Sequence, residues 1–301
     1  MNKTIISVIG PTAIGKTKLA IALAQHYKTE IISADSRQFY KEMSIGTAVP
    51  SKKELDDAPH HFIQHKSIFD SYSVGDFEKE ALARLDSLFQ KNDIVILVGG
   101  SGLYVKAVTE GLDYFPTIDP EIRVKLNNIF AKKNIAPLQE QLKKLDSITY
   151  SKIDLNNPHR LIRALEVCIG TEKPYSSFLN KNSKNRPFNT ITLGIETERS
   201  IIYDRINQRV GLMVSEGLIE EAKQLEKHKS LNALQTVGYR ELFTHFNGEW
   251  TLDYAIEEIK KNTRRFAKRQ LTWFRKNEKT IWVDCKENFS SILEKLPKEL
   301  K

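Results

Sequence analysis

The chain has 301 residues, 40% of them apolar and 28% charged, enough to bury at least one substantial core in one large domain or two. No apolar run approaches the ~20 residues that cross a bilayer, and Met1 to Thr4 runs straight into Ile5-Ile6-Ser7-Val8-Ile9 without the cleavage region of a signal peptide, so a globular cytoplasmic protein off the membrane is expected. Cys168 and Cys285 stand far apart without CxxC or Cys/His-spaced neighbours, which argues against a disulfide framework or a zinc site, while a net charge of +8 favours an anionic partner.

The first β-branched run, Thr4 to Ile9, opens onto Gly10-Pro11-Thr12-Ala13-Ile14-Gly15-Lys16-Thr17, a match to G-x-x-x-x-G-K-[ST], and then onto the helical pattern Leu19-Ala20-Ile21-Ala22-Leu23-Ala24. Strand, glycine-rich loop and helix in that order make a phosphate cradle. The glycines let backbone N–H groups converge on phosphate oxygens at a helix N-terminus, Lys16 adds a point charge, and the Thr17 hydroxyl suits Mg2+. The same P-loop motif serves ATP and other nucleotides, so the pattern alone does not say whose phosphates it holds.

The second run, Glu30 to Ser33, leads into Ala34-Asp35-Ser36-Arg37-Gln38, placing Asp35 at the C-terminal end of a strand, where open α/β sheets gather their ligands. A carboxylate there is a candidate general base, or else a turn residue. The third run, Ile94 to Val98, ends in Gly99-Gly100-Ser101-Gly102 and not in an acid. Nucleotide hydrolases usually place a Mg2+-binding carboxylate at such a strand end, which weakens the reading as an RNA-binding ATPase. Ser101 is either a second phosphate contact or the N-cap of the next helix.

From Pro116 to about Pro187 the strand signals vanish, and Pro120, Pro137, Pro158 and Pro174 punctuate helical patterns. This predicts a helical insertion over 116–187 in a core domain formed by 1–115 plus 188–301. Runs at Thr190 to Ile195 and Thr280 to Val283 supply two more strands, and the rest of the C-terminal part reads as helical. The expected class is α/β: a P-loop-type, mostly parallel sheet flanked by helices, with a helical insertion and a helical C-terminal region.

Lys260 to Lys279 reads KKNTRRFAKRQLTWFRKNEK. On a helix, Lys261, Arg264, Arg265, Lys268, Arg269, Arg275 and Lys276 share one face, while Ile256, Ile259, Phe266, Ala267, Trp273 and Phe274 fall on the other. The helix should pack inward through the apolar side and offer phosphate-neutralising groups outward. A merely solvated basic face is the plainer alternative; the arginine share and the unbalanced sign favour nucleic acid. A small P-loop kinase would account for Lys16 and Thr17 but leaves this face without a role.

Taken together these residues closely resemble one family, the tRNA dimethylallyltransferases. The matching segments are GPTAIGKT at 10–17, ISADSRQFYKEMSIGTAVP at 32–50, APHHFI at 58–63, SVGDF at 73–77, LVGGSGLYVKAVTEGL at 97–112, NPHRLIRALEV at 157–167, TVGYREL at 236–242 and TRRFAKRQLTWFR at 263–275. The resemblance implies transfer of a dimethylallyl group from dimethylallyl diphosphate to N6 of the adenine beside the anticodon, with the tRNA anticodon stem-loop as partner, Mg2+ as cofactor and a monomer as the working unit. It further implies that the loop residues through Thr17 hold the donor's diphosphate and that Asp35 is the base, with Ser36, Arg37 and Gln38 in the same tRNA-contacting turn. Ser101, where the family more often has threonine, and Arg123 correspond to catalytic-channel positions. His159, Arg160, Leu161, Ile162 and Arg163 match a tRNA-contacting stretch, as do Gln235, Gly238 and Arg240, and then Arg264, Lys268, Arg269 and Arg275.

Overall fold

The computed structural model describes residues 3–179 and 185–300; Met1, Asn2, Lys301 and residues 180–184 of the expected insertion lie outside the described residues. Six strands form one sheet: β1 (Thr4–Ile9), β2 (Ile31–Ser33), β3 (His60–His61), β4 (Ile94–Gly99), β5 (Asn189–Glu196) and β6 (Ile281–Asp284), in the order β3-β2-β4-β1-β5-β6. Every pairing among them is parallel. Five strands fall on the β-branched runs of the sequence. The edge strand β3 escapes that reading because two residues are too few to show an alternation.

The sheet is buried on both faces, as parallel sheets require. Ile6, Val8, Ile96 and Val98 point into one apolar cluster, and Ile5, Ile9, Val95 and Leu97 into the other. Helices α1 (Lys16–Tyr27), α2 (Lys52–Asp57) and α3 (Val74–Leu88) connect the first four strands, and α4 (Gly102–Thr109) follows β4. The start of α3 explains one conserved-looking piece of sequence, Ser73-Val74-Gly75-Asp76-Phe77. Ser73 Oγ accepts from Asp76 N at 3.2 Å while Asp76 Oδ2 accepts from Ser73 N at 2.8 Å, a reciprocal cap.

The chain divides into two compact units, Met1–Glu110 with Arg186–Lys301, and Gly111–Asn185. The second is helical: α5 (Pro120–Lys133), α6 (Ala136–Leu145), α7 (Ser147–Tyr150) and α8 (Pro158–Thr171). Pro120 and Pro158 open their helices at the first position, where no N–H partner is needed, behind the caps Asp119 and Asn157. Leu126, Leu138, Leu142, Leu161, Ile162 and Leu165 form its core.

In the first unit the chain continues through α9 (Arg199–Ser215), α10 (Leu218–Leu225), α11 (Tyr239–Phe246), α12 (Leu252–Phe274) and α13 (Phe289–Lys295). One carboxylate ties these helices to the loop after β2. Glu221 of α10 accepts from the backbone N–H groups of Ser44, Ile45 and Gly46, each at 2.9 Å, and from the Tyr239 hydroxyl at 2.6 Å. Tyr239 is fully buried, and the cost of withdrawing its ring from water together with the adjacent Glu221 charge pushes its phenol far above the usual range. Removing one of these four donors and removing their common acceptor should therefore differ. Tyr239→Phe is expected to lower unfolding free energy by about 1 kcal/mol and Glu221→Ala by about 3 kcal/mol, because the latter strands several donors at once. Urea titration measures both, and equal losses would contradict the shared-acceptor arrangement.

Candidate active site

The site begins where β1 and β4 end. They lie side by side with Ile9 opposite Gly99, and their continuations part in opposite senses: β1 leads to β2, beyond β4, and β4 leads to β5, beyond β1. Such a parting leaves a crevice at the carboxyl ends of the strands. Into it run the two glycine-rich turns read from the sequence, 10–17 and 99–102.

The first turn has the backbone of a phosphate loop. Gly15 sits at the N-cap of α1 with φ 104°, a conformation that any side chain would strain, and Ala13 is held at φ 62°. Lys16 Nζ donates to Pro11 O at 2.8 Å, Arg205 to Ile14 O at 3.2 Å and Arg209 to Thr12 Oγ1 at 3.4 Å. The Thr12 N–H is already taken by Gln270 Oε1 at 2.9 Å, so the amides left for a ligand are those after it. The Ile14 side chain is buried in the core, and its contribution to the turn is through its backbone. Burial lowers the Lys16 ammonium to about 8; the Asp35 carboxylate offsets part of that and the Arg209 guanidinium adds to it.

The second turn is pressed between β2 and α12. A Cβ on Gly99 would overlap the Ala34 carbonyl, one on Gly100 the Gln270 side chain, and one on Gly102 the Trp273 ring. Ser101 occupies the N-cap position of α4, yet its hydroxyl makes no cap bond. It accepts instead from Ser36 N at 3.1 Å and lies 3.1 Å from Ser36 Oγ. Of the two readings open for this serine, capping is therefore excluded. Asp35 follows β2 by two residues, and its Oδ1 accepts from Arg37 N at 3.2 Å. One oxygen of Asp35 thus braces the turn, and the residue also borders a cavity of 590 Å3.

Around that cavity Asp35 is the only acid among the described lining residues, against Arg37, Arg209, Arg240 and Arg269. Burial pulls the Arg37 guanidinium below its usual value, and Arg209 likewise; both remain charged. Arg205 and Arg209 were missed by sequence reasoning. They are four residues apart on α9 and so share a face, in a stretch whose basic residues lie between polar and apolar ones without a motif.

Helix α12 corrects part of the amphipathic reading. Its buried positions are Ala255, Ile259, Ala267, Gln270 and Phe274, whereas Phe266 and Trp273 are about 40% exposed. These two rings do not pack inward; with Ile259, Thr263 and Gln270 they form the stripe that borders the cavity. Arg269 lies over the Phe266 ring, 5.7 Å from its centroid, and lines the cavity too. Arg264 donates to Asn207 Oδ1 at 2.7 Å, Arg275 closes the helix end and pairs with Glu196 at 3.0 Å, and Lys268 is exposed without an ion pair among the described residues.

Other expected contact residues are distributed unevenly. Arg37 donates to the carbonyls of Asn232 and Ala233 at 3.0 Å each, and Gln38 Nε2 to those of Thr47 and Ala48 at 3.3 and 2.8 Å, so the Gln38 amide chiefly braces its own loop. Gln235, Gly238 and Arg240 all border the cavity, Gly238 with φ 101° at the N-cap of α11.

Arg123 and the 159–163 stretch lie in the second unit. Arg123 holds Glu166 through Nε at 3.1 Å and a terminal nitrogen at 2.7 Å, and Arg163 reaches the same carboxylate at 2.9 Å. Burial by itself would raise the Glu166 carboxyl, but the two guanidinium groups more than reverse that and hold it below the usual range. Two cations on one anion leave the cluster one positive charge. His159 and Arg160 are exposed. Leu161 and Ile162 are a correction: at 0% and 4% exposure they belong to the core of α5, α6 and α8 and cannot touch a ligand.

The chain matches known proteins over nearly its whole length. The chain is 59% identical to a tRNA dimethylallyltransferase of Flavobacterium johnsoniae over 305 residues, covering 99% of each chain, and 60% identical to one of Christiangramia forsetii, covering 98% and 97%. Among solved structures it resembles a tRNA isopentenylpyrophosphate transferase of Bacillus halodurans, with a TM-score of 0.71 at 37% identity over 96% of this chain and 93% of that one. A eukaryotic dimethylallyltransferase described as acting on tRNA superposes with a TM-score of 0.79 at 25% identity, over 99% of this chain and 77% of that one. The family model of the IPP transferases matches residues 38–277, and with identity running through the full length the chain belongs to that family.

Proposed function

We propose that the cavity transfers a dimethylallyl group from dimethylallyl diphosphate to N6 of the adenine 3′-adjacent to the anticodon in certain tRNAs, releasing diphosphate. The observation that carries this reading is a P-loop-type cradle beside a cavity whose charged lining residues, among those described, are one carboxylate, Asp35, and four arginines, with no acid directly after β4. A motor that hydrolyses nucleotide needs the acid after β4; an alkyl transfer needs a diphosphate cradle and a base.

In the reaction adenine N6 attacks C1 of the dimethylallyl group, the C–N bond forms as the C–O bond to diphosphate breaks, and the N6 proton passes to Asp35. The allylic carbon tolerates positive charge, so catalysis rests on aligning the partners and neutralising the leaving diphosphate. Lys16, the amides from Ala13 to Thr17 and Arg209 serve that neutralisation in the first unit. Arg123, with the net positive charge of its Glu166 cluster, is assigned to it by the family pattern. Ser101 and Ser36 hold the turn that presents Asp35. The adenine has to leave its stack to enter, which costs least for an unpaired base.

The Thr17 hydroxyl would hold Mg2+, being a hard oxygen donor of the kind that ion prefers. When bound there, Mg2+ offsets negative charge on the diphosphate. The exposed cations of α12, Lys268 foremost, would add affinity for the tRNA backbone. No helix of the described residues is long and apolar enough to cross a membrane.

Three outcomes follow from these roles. Asp35→Asn keeps the shape but cannot accept a proton at neutral pH, so single-turnover prenyl transfer should slow by about 10² to 10⁴ while donor and tRNA affinities change by less than about tenfold. A wild-type rate, or a defect confined to tRNA affinity, would reduce Asp35 to a positioning group. Donor binding should take up protons around pH 8, where the empty site holds Lys16 half-deprotonated and the arriving diphosphate restores its charge. Calorimetry in buffers of different ionisation enthalpy reads this uptake, which should vanish by about pH 6, with affinity falling as pH rises past 8. Finally, Arg265→Glu with Lys268→Glu should weaken tRNA binding and flatten its salt dependence by about one to two phosphate contacts, sparing donor binding. An unchanged salt slope would mean the face is merely solvated.

A further inference from the structure

We propose that Gln270 is the positioning residue that sets the register of the phosphate loop against the Ser101 turn, and so governs affinity for the diphosphate; this rests on the prenyl-transfer reading above. Gln270 stands among cations, Lys268 and Arg269 on one side and Arg275 a turn onward, where a polar residue would ordinarily face water. It is nevertheless 7% exposed and bonded at both ends of its amide. Its Oε1 accepts from Thr12 N at 2.9 Å, and its Nε2 donates to Gly100 O at 2.9 Å. Only a side chain that donates and accepts at once can make both bonds. A carboxylate would set oxygen against the Gly100 carbonyl, and a lysine or arginine would set a donor against the Thr12 N–H.

The two bonds act on the parts of the site least able to hold themselves. Ala13 is left-handed, an unfavourable state for a residue with a Cβ, so the loop needs outside ties to keep it. Lys16 and Arg205 tie the loop through carbonyls, at Pro11 and Ile14. Gln270 takes an amide, turning the Thr12 N–H away from any ligand and leaving the amides that follow to converge. Its other end grips the residue before Ser101, whose hydroxyl in turn holds Ser36 beside Asp35. One side chain therefore fixes the spacing between the cradle and the turn that carries the base.

The test uses the full chain with inorganic pyrophosphate as the probe of the cradle. Gln270→Met preserves length without either bond, and Gln270→Glu preserves only the acceptor. Pyrophosphate Kd by calorimetry in Mg2+, donor KM and kcat at saturating tRNA, and tRNA Kd are measured for each, with thermal unfolding to follow the fold. In both variants pyrophosphate Kd and donor KM should rise about tenfold, the order of one net hydrogen bond, while tRNA Kd stays within about twofold. Values of pyrophosphate Kd and donor KM that stay at the wild-type level overturn the proposal. So does a parallel decline of every constant with thermal stability, which would mark Gln270 as packing alone. If Gln270→Met fails to fold, Gly100→Ala, whose Cβ displaces the amide, decides in its place by the same readouts. A wild-type protein that binds pyrophosphate yet transfers no prenyl group would sink the prenyl reading and leave the pyrophosphate arm to judge Gln270.

Discussion

The residue-for-residue ladder between β1 and β4 is the constraint from which the site follows. With Ile9 opposite Gly99, both strands end at one level, and the chain leaving each turns away from the other. The sheet is buried on both faces, so a slip of one residue would turn every side chain of the slipped strand toward the wrong cluster. That penalty holds the two glycine turns together more firmly than any bond between them. The loop after β2 is then carried to the same rim by β4, on which β2 is paired.

What gathers at that rim is electrically incomplete. Lys16, Arg37 and Arg209 have their pKa values lowered by burial, the sign that their charged forms are disfavoured where they stand, and one carboxylate answers them. In the empty protein these cations are answered only in part, by Asp35 and by backbone carbonyls. The arrangement is complete when a polyanion arrives, so the destabilisation carried by the free site becomes affinity and, as charge develops on a leaving diphosphate, transition-state stabilisation. The second unit differs, for there Glu166 pairs with two arginines and raises the Arg123 guanidinium.

The fold was legible because its signals are repetitive: β-branched runs, prolines at helix starts and a strand-loop-helix with a phosphate signature. The placement of the site's parts was legible where a local pattern carries it: Lys16 after the glycine loop, Asp35 after a strand end, and the glycines of both turns. It was opaque where a residue acts against its type. Gln270 carries no signal of its own among lysines and arginines, and the path of α12 over the phosphate loop buries it. Phe266 and Trp273 read as core because periodicity reports which residues share a face, not whether that face meets protein or a cavity. Leu161 and Ile162 sat inside a stretch read as one contact surface, and an unbroken run of letters conceals that successive residues of a helix step about 100° around it, so part of any such run faces the core. Ser73 and Asp76 illustrate the converse, a family motif whose geometry is a helix cap.

The bond between Thr12 and Gln270 spans 258 residues of sequence, and those from Ser44, Ile45 and Gly46 to Glu221 span 177, 176 and 175. A ribosome emits the phosphate motif first and the helix that braces it near the end. The N-terminal strands can pair as they emerge, but the cradle stays unbraced until residue 270 has cleared the exit tunnel. A nascent chain thus carries its phosphate motif without this brace until Gln270 of α12 has followed Thr12 by 258 residues.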